Sequence, residues 1–161
     1  MWKAANSLCD PTGDVAGQNG SVDSLETTPQ TRVRMSRQKS KDTQVEIALR
    51  KALHAAGLRY RVHQRPVSGV RREADVVFTA AKVAVFVDGC FWHGCPEHAT
   101  WPKNNAQFWR DKIEGNRRRD VDTDARLAQE GWLAVRVWEH ESVEVAADRV
   151  KEAVVGRRRP K

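Results

Sequence analysis

From Asp42 to Gly57 the apolar positions Val45, Ala48, Leu49, Ala52, Leu53 and Ala56 recur at three- and four-residue spacing, which lines one face of a helix. Asp42 or Thr43 can cap its start, and Glu46 stands three residues after Thr43, the spacing of a capping box. Gly57 ends it. The period then changes. Leu58–His63 alternates like a strand, and the basic turn "GVRR" follows. The runs "ADVVFTA" and "KVAVFVD" are β-branched throughout and separated by a short turn, which predicts a buried hairpin. Asn105–Glu130 reads as a helix marked by Phe108, Trp109, Ile113 and Leu127, with Gly115 as a weak point and Gly131 as its stop. "WLAVRVWE" is a further core strand, and Ser142–Val155 a final amphipathic helix. The order is helix, three strands, helix, strand, helix. An antiparallel meander with one crossover predicts an α/β or α+β class around a central mixed sheet.

Composition adds boundaries and a partner. The chain has 161 residues, enough for one domain and a tail. Residues 1–31 are rich in Gly, Ser, Thr, Asn and Asp without periodicity and read as a disordered leader. Cys9 lies there and receives no role. Residues 32–41 form a basic stretch around Met35, either a solvated charge run or an arm that contacts DNA. Residues 42–155 form the folding unit, and 156–161 a basic tail. The net charge of +7 makes an acidic polymer a natural partner, against the plainer reading of a merely soluble basic protein. Three cysteines, two of them close together, are not a secreted disulfide framework. No apolar run is long enough to span a membrane, and the N-terminus has no basic start before an apolar block. The expected compartment is a reducing cytosol, in a bacterium beside the nucleoid.

Candidate chemistry gathers in "FVDGCFWHGCPEH", Phe86–His98. Cys90, Cys95 and His98 have the spacing C-x4-C-x2-H, which suits tetrahedral Zn2+. His140, just past the last strand, is the candidate fourth ligand. Such a Cys2His2 set leaves no open position and argues for a structural site. His93, between the cysteines, is left for chemistry. Asp75 sits at the start of one strand and Asp88 at the end of the next. An unpaired buried carboxylate is costly, so each acid either caps or pairs with Arg71, Arg72 or Lys82, or holds a hard cation such as Mg2+. Glu46 is a third acid, with the helix cap as its competing role.

The order helix with Glu46, strand with Asp75, strand with Asp88 resembles the αβββαβ core of the PD-(D/E)xK nucleases. The usual Glu-x-Lys is missing, since Gly89 and Cys90 follow Asp88, and His93 is the group that could take over the lysine's work. More specifically, "ADVVF", "DGCFWHGCPEH", "FWRDKIEGNRRRD" and "GWLAVRVWEHE" together resemble the very short patch repair (Vsr) DNA mismatch endonucleases, from about Arg34 to Val155. The resemblance implies a restriction-endonuclease-like α/β fold with a structural zinc site. It implies a Mg2+-dependent enzyme, acting as a monomer, that nicks duplex DNA 5′ of the thymine in T:G mismatches left by deaminated 5-methylcytosine. It also suggests a functional link to a cytosine-5 DNA methyltransferase and a repair polymerase. Asp75 matches the family's metal-binding acid, although Ala74 stands where a proline is usual. The main-chain carbonyl of Val87 matches the second Mg2+ ligand, and Asp88 falls at a variable position that holds His or Asp. His93 matches the catalytic histidine and Asp120 the acid that orients it. Glu46 matches a helix acid that contacts water on the metal. Cys90, Cys95, His98 and His140 match the zinc set. Phe91, Trp92, Trp109 and, from the arm, Met35 match a wedge inserted beside the mismatch, with Arg34, Arg37, Lys39, Arg117 and Arg119 on the DNA backbone. Two other readings stay open: a restriction-type nuclease on the same fold without mismatch specificity, and an inactive zinc-stabilised DNA-binding protein.

Overall fold

The computed structural model describes residues 41–158. Leader, arm and final tail residues, and with them Cys9, Arg34, Met35, Arg37 and Lys39, lie outside it. The first helix, α1 (Gln44–Ala55), starts as its sequence predicts. Thr43 Oγ1 accepts from the Glu46 N–H, and the Glu46 carboxylate accepts from the Asp42 N–H at 3.0 Å and the Thr43 hydroxyl at 2.9 Å. Leu49 and Leu53 are buried, while Ala56 is the exposed C-cap and not part of the apolar face. Gly57, at φ 78°, turns the chain out of the helix, and Leu58 N–H donates to Leu53 O. That bond makes Leu58 part of the helix stop, so the first strand, β1, is shorter than the alternation suggests: Arg61–Gln64.

The hairpin forms as expected from β2 (Ala74–Phe78) and β3 (Val83–Asp88), antiparallel with Val76 opposite Val85. The long helix α2 (Ala106–Gln129) runs unbroken through Gly115 and carries the chain to β4 (Leu133–Trp138), parallel to β3. The helix α3 (Val143–Arg157) follows, with Ser142 as N-cap. Strand order is β1-β2-β3-β4. This mixed sheet with three helices fits the restriction-endonuclease-like arrangement.

Both faces of the sheet are covered, which is why β2 and β3 read as almost continuous apolar runs. On one face Leu49 and Leu53 of α1 and Val150 and Val154 of α3 pack on Val76, Val83, Val85, Val135 and Val137. On the other, Leu127 of α2 and Trp132 pack on Val77, Ala84 and Phe86. Truncating a fully buried leucine such as Leu53 costs about 2–5 kcal/mol in cores of this kind. Among the described residues no helix is long and apolar enough to cross a membrane.

Candidate functional site

The parallel pairing of β3 with β4 ends at Asp88 opposite Trp138. Beyond it, Glu139 N–H donates to Asp88 O at 3.0 Å, and Glu139 Oε1 accepts from the Cys90 N–H at 2.7 Å. This stitching brings His140 against the cysteine loop. Cys90 Sγ lies 3.1 Å from His140 Nδ1, Cys95 Sγ lies 3.7 Å from the same atom, and Cys95 Sγ lies 4.0 Å from His98 Nδ1. One ligand atom from each of the four lies within 4.8 Å of the others. Zn–S and Zn–N bonds at a tetrahedral angle would put sulfur and nitrogen roughly 3.5 Å apart, so the donor set fits zinc. Both cysteines are buried and free. Burial, and after it Cys95, pushes the Cys90 thiol up to about 11. A coordinated cation reverses that cost by holding the thiolate.

Gly94 permits the loop its shape. It stands at φ 61°, and a Cβ there would come within 2.8 Å of Ile113 Cγ2 on α2. Asn116 of α2 donates to Trp92 O at 2.7 Å. The loop is thereby pressed onto α2, and this delivers His93 to Asp120: His93 Nδ1 lies 2.6 Å from Asp120 Oδ2. Burial alone would lower the His93 pKa, but the Asp120 hydrogen bond and the charge of Asp88 outweigh it, and the net shift is upward. Burial likewise opposes ionisation of Asp120, yet the hydrogen bond to His93 and the charges of His93 and Arg136 carry it below the usual carboxylate range.

Asp88 is 4% exposed and lies on the α2 side, Oδ1 at 3.6 Å from His93 Nδ1. Both its oxygens accept from Arg136 Nη1, each at 2.9 Å. Burial pushes its pKa up, and Arg136 and His93 pull it back only in part. The hairpin's other acid faces different company. Asp75 Oδ2 accepts from the Val87 N–H at 2.7 Å. Burial raises Asp75 to about 6; the Val87 bond opposes this, while nearby Glu46 adds to it. Glu46 itself is 4% exposed. A half-buried carboxylate beside a second acid is an arrangement a divalent cation would relieve. The structure therefore joins Asp75 to Glu46 on one side of the β3 end, and Asp88 to His93 and Asp120 on the other. Two of the alternative cation partners are engaged elsewhere: Lys82 donates to Glu130 O, and Arg72 to Arg119 O and Thr123 Oγ1.

Phe91, Trp92 and Trp109 form one cluster, with ring centroids 5.1–6.0 Å apart and edge-on contacts. Trp109 is only 8% exposed and backs the half-buried Phe91 and Trp92. Arg117 and Arg119 are exposed on α2.

Sequence reasoning missed Arg136, Asp124, His63 and Asp42. Arg136 carried a signal, being the one charge inside the core strand "LAVRVW". His63 did not. Its φ of 49° is not foreshadowed by the alternation of β1, yet it places Nε2 at 3.1 Å from Asp42 Oδ1, next to Glu46.

Comparison with known proteins gives the family. The family model for DNA mismatch endonuclease Vsr matches residues 23–98. That stretch holds Glu46, Asp75, His93, Cys90, Cys95 and His98, whereas Asp120 and His140 lie beyond it and rest on the distances above. The chain is 45% identical over 114 residues to the type II nicking enzyme V.NaeI of Lentzea aerocolonigenes, covering 70% of this chain and 69% of that one. It is 43% identical over 133 residues to the type II nicking enzyme V.NmeDIP of Neisseria meningitidis serogroup C, covering 79% and 88%. Against the DNA mismatch endonuclease Vsr of Escherichia coli K12 it is 33% identical over 104 residues, covering 62% and 63%. With this similarity over a fold that sets the Asp75–Glu46 acids and the His93–Asp120 pair on the two sides of the β3 end, the chain belongs to the Vsr family and is a DNA endonuclease.

Proposed function

We propose that the protein is a Mg2+-dependent endonuclease that nicks duplex DNA on the 5′ side of the thymine in T:G mismatches, the lesion left when 5-methylcytosine deaminates. The observation that carries this reading is that the end of β3 is flanked by a buried acid pair, Asp75 beside Glu46, on one side and by the His93–Asp120 pair on the other. Phosphodiester hydrolysis requires both a cation site for the phosphate and a group that moves a proton.

Asp75 and the Val87 carbonyl would hold Mg2+, with Glu46 beside them. When bound there, the ion supplies Lewis acidity on a phosphate oxygen. Asp120 accepts a hydrogen bond from His93 Nδ1–H and thereby leaves Nε2 as the atom that exchanges protons. As base, Nε2 takes a proton from the attacking water while the water oxygen bonds to phosphorus and the ester P–O bond breaks. The leaving sugar oxygen, opposite the attacking water in an in-line displacement, takes its proton from solvent. Zn2+ on Cys90, Cys95, His98 and His140 would fix the loop that carries His93, Phe91 and Trp92. Those two aromatics, backed by Trp109 and joined by Met35 of the arm, would enter the stack beside the mismatch, where unstacking is cheap. Arg34, Arg37, Lys39, Arg117 and Arg119 would contact phosphates. Function as a monomer follows the same reading, as does pairing with a cytosine-5 methyltransferase that creates the lesion and a polymerase that repairs the nick.

A panel of mismatched duplexes in varied sequence contexts, with and without Mg2+, scored for the nicked strand and position, tests the proposal. Nicking of T:G but not of a T:A control, only with the cation, is the expected result. Equal cutting of T:A duplexes would replace mismatch recognition with a restriction-type activity.

A further inference from the structure

Two carboxylates face one nitrogen of His93. Asp120 Oδ2 is 2.6 Å from Nδ1, and Asp88 Oδ1 is 3.6 Å from it. Nδ1 can serve only one hydrogen bond, so the two acids compete for the ring's orientation. What decides between them is on neither strand end but within β4. Arg136 Nη1 donates to both oxygens of Asp88 at 2.9 Å and lies 3.3 Å from Asp120 Oδ1. Its Nη2 donates to the Asp120 carbonyl at 3.3 Å. Nε and Nη2 grip Asp124 of α2, each at 3.0 Å. The guanidinium carbon lies 5.0 Å over the Phe86 ring, which fixes the fork from below.

We propose that Arg136 is a positioning residue for the nicking reaction: its guanidinium engages Asp88 so completely that Asp120 alone orients His93. The inference rests on the reading of His93 as the proton-moving group. It removes Asp88 from the metal site, since its two oxygens point into the guanidinium, and makes Asp88 the counter-ion that keeps Arg136 in place. It also explains why a charged residue interrupts an otherwise apolar core strand. Without Arg136, Asp88 would be a buried carboxylate whose nearest cationic partner is His93 itself. The ring would then be shared between two acceptors, and Nε2 would lose its fixed aim.

The test uses the full chain and a duplex that the wild-type protein nicks. Arg136→Met should lower kcat by about 10²-fold, in the range of general acid–base effects, with KM within about threefold. The double variant Arg136→Met/Asp88→Asn removes the competitor as well and should regain at least about tenfold of that kcat, because Asp120 again holds His93 unopposed. Taken per folded molecule, as titrated by DNA binding, kcat would be unchanged in both variants if the role of Arg136 were confined to folding. A folded Arg136→Met protein with wild-type kcat, or a double variant no faster than the single one, overturns the proposal. Should Arg136→Met fail to fold, the double variant stands alone, since replacing a buried ion pair by a neutral pair is commonly tolerated. A kcat within about tenfold of wild type then supports the proposal, and a loss as deep as that of His93→Ala overturns it. His93→Ala run alongside separates the two failures. Nicking by that variant at the wild-type rate removes His93 from the reaction. An inactive His93→Ala beside an unimpaired Arg136→Met removes Arg136 alone.

Discussion

The end of β3 divides two polar regions that differ in whether their charges are answered. On the α2 side, Asp88, Asp120 and Asp124 are all engaged by Arg136, and His93 completes the set. On the α1 side, Asp75 accepts from a backbone N–H, the charge of His63 offsets that of neighbouring Glu46 only in part, and burial raises its carboxyl to about 6. In the first region every acid has a hydrogen-bond partner, although burial still holds the Asp88 pKa up, and such fixed partners are what orienting a side chain demands. The second is left electrostatically unfavourable, which is what binding a cation demands. Strain of this sort persists at functional sites because the rest of the fold supports it.

The contrast predicts different failures on the two sides. Asp75→Ala should abolish nicking while mismatched DNA still binds, because the aromatic cluster and the basic surface are untouched. A binding assay beside the nicking assay checks it, and wild-type nicking by this variant would move the metal site elsewhere. His93→Ala should also abolish nicking, from the α2 side, with zinc content unchanged. Cys95→Ser should act on both sides at once. The loop would lose its metal and the fold a large part of its stability, since binding of such an ion is folding free energy. Metal analysis and a melting curve read this out, and full zinc content in Cys95→Ser would remove Cys95 from the set.

Asp120→Asn is milder. The amide keeps a hydrogen bond to His93 but can donate instead of accept, so the ring's tautomer is no longer fixed. The kcat should fall by about 10²- to 10⁴-fold without loss of binding. A loss no larger than threefold would show that Asp120 does not orient the histidine.

Much of this was legible in the sequence, and unevenly. The helices and the hairpin were readable because period and caps agree, as at Thr43, Glu46 and Gly57. The grouping of Cys90, Cys95 and His98 was readable because they lie within nine residues, and that of His140 with them because a parallel neighbour must end nearby. The separation of Asp75 from Asp88 was not readable. Both flank apolar strands, and only the register and the packing of α1 and α2 assign them to different sides. Arg136 escaped notice because its partners are 12 to 48 residues away in the chain. The β1 boundary shifted for a local reason, the Leu58–Leu53 backbone bond, which competes with strand pairing.

The smallest expected effect is a gain. Asp75 has a folded-state pKa of about 6, raised above the ordinary 3.8 mainly by burial. Between those values the folded chain holds a proton that the unfolded chain has released. Stability therefore falls as pH rises through this window, and above about pH 6 the full penalty applies. Asn at this position is nearly isosteric, still accepts from the Val87 N–H, and carries no charge. Asp75→Asn should then be more stable than wild type above about pH 6 in the absence of divalent cations, by roughly 1–3 kcal/mol, and should show no advantage well below pH 4. Adding Mg2+ should narrow the difference at high pH, because the ion stabilises only the chain whose carboxylate can hold it. Denaturant melts of both proteins at pH 3.5 and 7.5, without Mg2+ or with it added, measure all of this. If Asp75→Asn is no more stable than wild type at pH 7.5 without Mg2+, the Asp75 carboxyl is not strained, and the distinction between the two regions fails.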